Sequence, residues 1–279
     1  MKKDAENAFS FPNSIWDCTC LFNSIALLAL LLFALPAHAV SPHPDLWPLT
    51  LKASQSAEPA KQRATLEAAA VPDELKPAVR FQQTFLKILA SSVSKAQPLE
   101  PDWVKELQAF IAADREGDPV VHGVAEVARA WIARVQMQTI DTELRQYYRK
   151  QVHFPATFSE IEPGLPDALR RDPWGQPWVY APHAPQGLGK LSAQRYRLGP
   201  ARHPDLGPLG EATGDRNSPP PSWQLTALNL GGKRVLKIRT PTGTATLEPG
   251  GKTGAFTLLF TGDNWALMAG PDQLFAVTF

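Results

Sequence analysis

Apolar side chains recur three to five residues apart from Val120 through Val124, Val127, Trp131, Val135, Ile140 and Leu144 to Tyr148. This is the longest periodic pattern in the chain, and it predicts one long helix with an apolar stripe turned to a core. Arg129, Arg134, Glu143, Arg145 and Arg149 fall on positions available to solvent. The rest of the chain must be built from shorter pieces, because 27 prolines among 279 residues interrupt it often. Two shorter amphipathic segments come first. Phe81, Phe85, Ile88 and Leu89 mark one; Trp103, Leu107, Phe110 and Ile111 mark the other. Pro98 and Pro101 separate them, and Gly117-Asp118-Pro119 closes the second. A hydrophobic fraction of 44% supports a core, and a formal charge of +1 gives no electrostatic argument for nucleic acid or an anionic membrane.

Residues 1–39 read as a secretory signal peptide. Lys2 and Lys3 open it, an apolar run covers Ile25 to Leu35, Pro36 breaks the run, and Ala37-His38-Ala39 supplies a small-x-small cleavage pattern. The run is shorter than the ~20 residues that a spanning helix needs. The expected location is periplasmic, after cleavage behind Ala39. The alternative is an inner-membrane anchor that leaves the remainder facing the periplasm. Cys18 and Cys20 both precede the run, so the mature protein is expected to have neither disulfide nor Cys-ligated metal.

Residues 40–59, aperiodic and bearing Pro and Ser, read as a tether, and 60–119 as a helical region. The long helix opens a unit over 120–217, in which Trp178-Val179-Tyr180 and the segment Gln194 to Leu198 are strand-like. Ser218-Pro219-Pro220-Pro221-Ser222 reads as a stiff spacer that holds the last unit, 223–279, apart. Short β-rich segments in that unit alternate with Gly-rich turns. That pattern predicts a small antiparallel sandwich or barrel whose tight turns leave little room for a pocket. The fold class expected for the whole is α+β.

The stretch Asp172-Pro173-Trp174-Gly175 is a turn with a mechanism. Asp172 accepts from the amides that follow, Pro173 presets φ, and Gly175 takes a positive φ. Trp174 then has a fixed direction, toward the helix, in which to bury a large surface, and Trp178 to Tyr180 leave the turn as a strand, so that the device locks the C-terminal region of a helix onto the edge of a sheet. The device reads as structural.

These residues also carry a resemblance. The order is a helix ending in Gln146-Tyr147-Tyr148, then Phe154-Pro155, Leu165-Pro166, the segment Asp172 to Tyr180, and Tyr196-Arg197-Leu198-Gly199. It is similar to the C-terminal domain of protein G, the major pseudopilin of type II secretion, over roughly Arg134 to Asn217. The resemblance implies a long helix plus a small antiparallel sheet. Its structural motif falls here on Asp172, Pro173, Trp174, Gly175, Trp178 and Tyr180. The family opens with a prepilin-peptidase site and an apolar helix; here the helix before the motif carries His122, Glu126, Arg129 and Arg134 instead. The family's loop after the Leu-Gly pair binds calcium through carboxylates and carbonyls. Its first aspartate falls near Ala201, which leaves Asp205, Glu211 and Asp215 as the candidate ligands. The last unit resembles the small periplasmic β-domain shared by type II secretion protein C and pilus-assembly protein P. Its final strand, Leu274 to Phe279, is expected at a sheet edge open to a partner strand.

Other chemistry finds little footing. Gly251-Lys252-Thr253 is read as a hairpin turn, because Thr246 stands where a phosphate loop needs glycine. His43, His122, His153, His183 and His203 show no paired metal spacing, and no Gly-x-Ser-x-Gly elbow exists. The expectation is a non-enzymatic component or adaptor of a type II secretion or type IV pilus-like envelope machine, with no nucleotide or nucleic acid and no cofactor besides the calcium candidate. Expected partners are a secretin, inner-membrane platform proteins and pseudopilins. The alternative is a periplasmic binding or hydrolytic protein on a borrowed pseudopilin-like fold.

Overall fold

The computed structural model describes residues 72–92, 102–183, 195–209, 223–230, 233–240, 243–262 and 265–278. The expected signal peptide, tether and spacer, and the candidate ligands Glu211 and Asp215, lie outside these residues. The fold is α+β. Three helices come first, α1 (Lys76–Ser92), α2 (Trp103–Ala112) and α3 (Pro119–Gln151). Asp118 caps α3: its carboxylate accepts from the amides of Val120 and Val121 at 3.1 Å each. Pro119 sits at the first turn, where its missing N–H costs nothing. The segment that closes the second helical pattern therefore also starts the long helix. α3 ends at Gln151: the Val152 amide closes the last helical bond, to the Tyr148 carbonyl at 2.7 Å, and the left-handed φ of 62° at Val152 then turns the chain out of the helix.

After α3 come β1 (Val179–His183) and β2 (Arg195–Gly199), an antiparallel pair. The chain then forms β3 (Gln224–Leu230), β4 (Lys233–Thr240) and β5 (Gly243–Leu247), a meander in spatial order β3-β4-β5. A second antiparallel sheet follows in order β6-β7-β8-β9, from β6 (Lys252–Thr253), β7 (Phe256–Thr261), β8 (Trp265–Ala269) and β9 (Leu274–Thr278). Of Gly251-Lys252-Thr253, expected as a hairpin turn, Lys252 and Thr253 form β6 and the hairpin turn falls on Gly254 and Ala255, while Gly251 ends the preceding turn with its amide on the Glu248 carbonyl at 2.8 Å.

Alternation along β8 and β9 sets the layering. Trp265, Leu267, Ala269, Leu274 and Ala276 join the core made by Phe81, Phe85, Val124, Val127 and Trp131 of the helices. Ala266, Met268 and Phe275 point the other way, into a core with Leu236, Ile238 and Leu247 of the three-stranded sheet. The four-stranded sheet is thus a middle layer, and every residue of β8 is buried. The expected spacer-held module is corrected here: the last unit shares one core with the helices, because its strands are apolar on both faces. At Gly123 the helix packs directly against β7. A Cβ there would meet Leu259 Cδ2 of β7 at 2.2 Å, so a larger residue at this position requires the Leu259 side chain to move.

α3 also departs from a single stripe. Between Gly123 and Met137 it is buried on nearly every side, Ala125, Ala128, Ala130 and Ala133 included. Arg134, expected in solvent, is 2% exposed. Its guanidinium pairs with Asp272 of the β8–β9 turn and donates to the Gly207 carbonyl at 2.7 Å. Further along, Met137, Ile140 and Leu144 pack with Ile161, Leu165, Trp178 and Leu206, a second core beneath β1 and β2. No helix among the described residues is long and apolar enough to cross a membrane.

Candidate functional site

The Asp172 turn forms as its composition dictates. Gly175 adopts φ 77°, and its amide donates to the Asp172 carbonyl at 2.8 Å. The buried Asp172 carboxylate accepts from the amides of Trp174 at 3.0 Å and Gln176 at 2.8 Å through one oxygen. Its other oxygen accepts from the Ala201 amide at 3.0 Å. Ala201 thus meets the turn through its backbone, and the carboxylate fastens the loop after β2 to the turn. Of the two tryptophans, Trp178 is the buried one, with its indole N–H on the Leu169 carbonyl at 2.8 Å. Trp174 turns toward α3, as expected, but is only half-buried. It meets Glu126, two turns into α3. Its indole N–H lies 3.2 Å from each Glu126 oxygen.

Around Glu126 the structure gathers charge from three segments, with Trp174 of the turn beside them. Arg129 donates to Glu126 at 2.8 Å and to Asp114, in the loop after α2, at 2.7 Å. His122 Nδ1 lies 2.9 Å from the other Asp114 oxygen. Arg202, from the loop after β2, pairs with Glu126 and lies over the Trp174 ring at 5.7 Å. His203 meets the same indole edge-on, with centroids 5.5 Å apart. Burial pushes the Asp114 carboxyl up, but the hydrogen bonds from His122 and Arg129 outweigh this and hold it below the usual carboxylate range. Burial depresses the His203 imidazole, the Arg202 charge adds to this, and Glu126 and Asp272 oppose it.

One ligand atom each from Asp114, His122 and Glu126 lies within 4.8 Å of the others, a grouping that a divalent cation could use. The donors do not leave it room as they stand. Arg129 already bridges both carboxylates, and Arg202 adds a second guanidinium, so the two negative charges are matched by two positive ones. The arrangement is a closed ionic latch that ties α2, α3, the turn and the loop after β2 together. Sequence reading overlooked it, although His122 and Glu126 stand four apart on one helix and therefore share a face. Asp114 is brought in only by the fold.

The candidate calcium ligands fare differently. Asp205 is exposed and pairs with Arg197 of β2, so it is not gathered with the latch. Tyr180 of the motif is half-buried and donates to the Pro155 carbonyl at 2.9 Å; burial pushes its phenol up to about 12. Compared with known proteins, the chain matches no family model, no curated protein and no solved structure. Function therefore rests on the residues and their arrangement.

Proposed function

We propose that this chain is a non-catalytic component or adaptor of a type II secretion or type IV pilus-like envelope machine, acting in the periplasm after loss of its leader. The observation that carries the reading is the α3–turn–β1–β2 arrangement, closed around the buried Asp172 carboxylate. It follows the order of helix, aromatic turn and strand pair in the pseudopilin domain that the sequence resembles.

Supporting the adaptor role, β9 is the last strand of its sheet and has only β8 as a strand neighbour among the described residues. The Gly270 amide bonds to the Gln273 carbonyl at 2.8 Å, which fixes the phase of the hairpin. Carried along the register, it turns the backbone polar groups of Leu274, Ala276 and Thr278 away from β8. Leu274 and Ala276 are 0% and 3% exposed, so a secretin, platform or pseudopilin component would add its strand to this edge only as the chain segments that cover it move aside.

Affinity purification of the tagged full chain from envelope extracts tests the reading. Secretin, platform or pseudopilin subunits are expected to be enriched over an exported control. Enrichment of none of them overturns it.

A further inference from the structure

A groove of about 800 Å³ lies between α1 and α2 and is floored by the start of α3. Phe110, Val121 and Val124 give it apolar surface, and its rim is basic. Two rim lysines are already matched: Lys76 pairs with Asp73, and Lys87 with Glu106, each at 2.5 Å. Glu106 is further engaged by the Thr84 hydroxyl at 2.6 Å. Burial raises its carboxyl, yet the hydrogen bonds from Lys87 and Thr84 prevail and keep it ionised to lower pH than usual. Three cations are left over. Arg80, Lys105 and Arg115 are exposed and form no ion pair among the described residues. The Arg80 guanidinium lies 6.0 Å from the Phe110 ring centroid, so the aromatic floor and the charged rim adjoin.

A chain of net charge +1 has thus concentrated unmatched positive charge beside one apolar groove. We propose that this groove docks an acidic, apolar-bearing peptide segment of a partner protein. Carboxylates would meet Arg80, Lys105 and Arg115 while aliphatic or aromatic side chains cover Phe110 and Val121, as a helix or extended peptide does in a mixed groove. The neighbouring parts of the same chain are poorly matched to it in charge. Residues 41–71 carry Asp45, Glu58 and Glu67 against Lys52, Lys61 and Arg63, and residues 93–101 carry Lys95 against Glu100. The contact is separate from the β9 edge, so either can fail without the other.

The test is fluorescence anisotropy on the full chain with a labelled peptide that places Glu and Leu at helical spacing. A peptide with Lys in place of Glu, and vesicles of phosphatidylglycerol, serve as comparators. Saturable binding of the Glu peptide is expected, weakening as salt rises. The triple variant Arg80→Glu, Lys105→Glu, Arg115→Glu should lose about tenfold or more in affinity, the scale of several exposed charge contacts. If that variant shows no cooperative melting, the single exposed substitution Lys105→Glu stands in for it, with a smaller loss in the same direction. Equal binding of the Lys peptide, or unchanged affinity in the variants, overturns the proposal. Binding to the vesicles that the variants abolish, without binding of the Glu peptide, assigns the groove to lipid headgroups and also overturns it.

Discussion

At the scale of single residues, the two tryptophans of the aromatic turn divide their duties. Trp178 fills the core beneath β1 and β2 and satisfies its indole N–H on the Leu169 carbonyl. Trp174 is half-buried and spends its N–H on Glu126. Trp178→Ala should therefore cost about 3–5 kcal/mol, the scale of deleting a buried aromatic ring. Trp174→Ala should cost about 1–2 kcal/mol, mostly for the lost hydrogen bond and partial burial. Urea unfolding of both variants checks the order, and a larger loss at Trp174 would reverse this assignment. His203, packed against Trp174, gives a pH dependence. Its imidazole titrates lower in the folded chain than in the unfolded one, so the unfolded state takes up the proton first. The stability it contributes is complete above the unfolded value of about 6.5 and declines as pH falls below that. His203→Gln should flatten the fall in Tm between about pH 7 and 5. A profile identical to the parent's would show that other groups set it.

Among the elements, α3 is the one that meets the other two helices, β2 and the four-stranded sheet, and Arg134 shows how it is held. Its guanidinium and Asp272 are both removed from solvent, so deleting one partner strands the other. Asp272→Asn should destabilise the chain by about 3 kcal/mol or more, whereas replacing both by apolar residues, Arg134→Met with Asp272→Leu, should recover much of the loss. Guanidinium titration of the single and double variants measures this, and equal losses would argue against a coupled pair. The sequence made the element boundaries legible. Large apolar residues at helical spacing, β-rich runs and Gly or Pro punctuation placed the helices and strands to within a few residues. It did not show how they stack. Gly123 faces β7, and Ala130 and Ala133 line the second core beneath β1 and β2, all too small to register in a hydrophobic stripe. Arg134 reads as a surface charge until Asp272, 138 residues away, is known to face it. The latch was hidden for the same reason, since Asp114 and Arg202 join His122 and Glu126 only through the fold.

For the molecule as a whole, the shared core changes how function must be tested. Removing residues 223–279 would strip Leu259, Leu267 and Leu274 from the core under α1 and α3, so a truncation would confuse lost binding with lost folding. A probe placed at the edge itself avoids this. The central claim is that the chain joins an envelope machine through the β9 edge. It is tested most directly by introducing a photo-crosslinking phenylalanine analogue at position 278 of the full chain, in cells, with the same analogue at the exposed Arg145 of α3 as control. The account predicts a crosslink to a secretin, platform or pseudopilin subunit from position 278 that is absent or much weaker from position 145. No crosslink to any such subunit from position 278, or equal yields from the two positions, would contradict it.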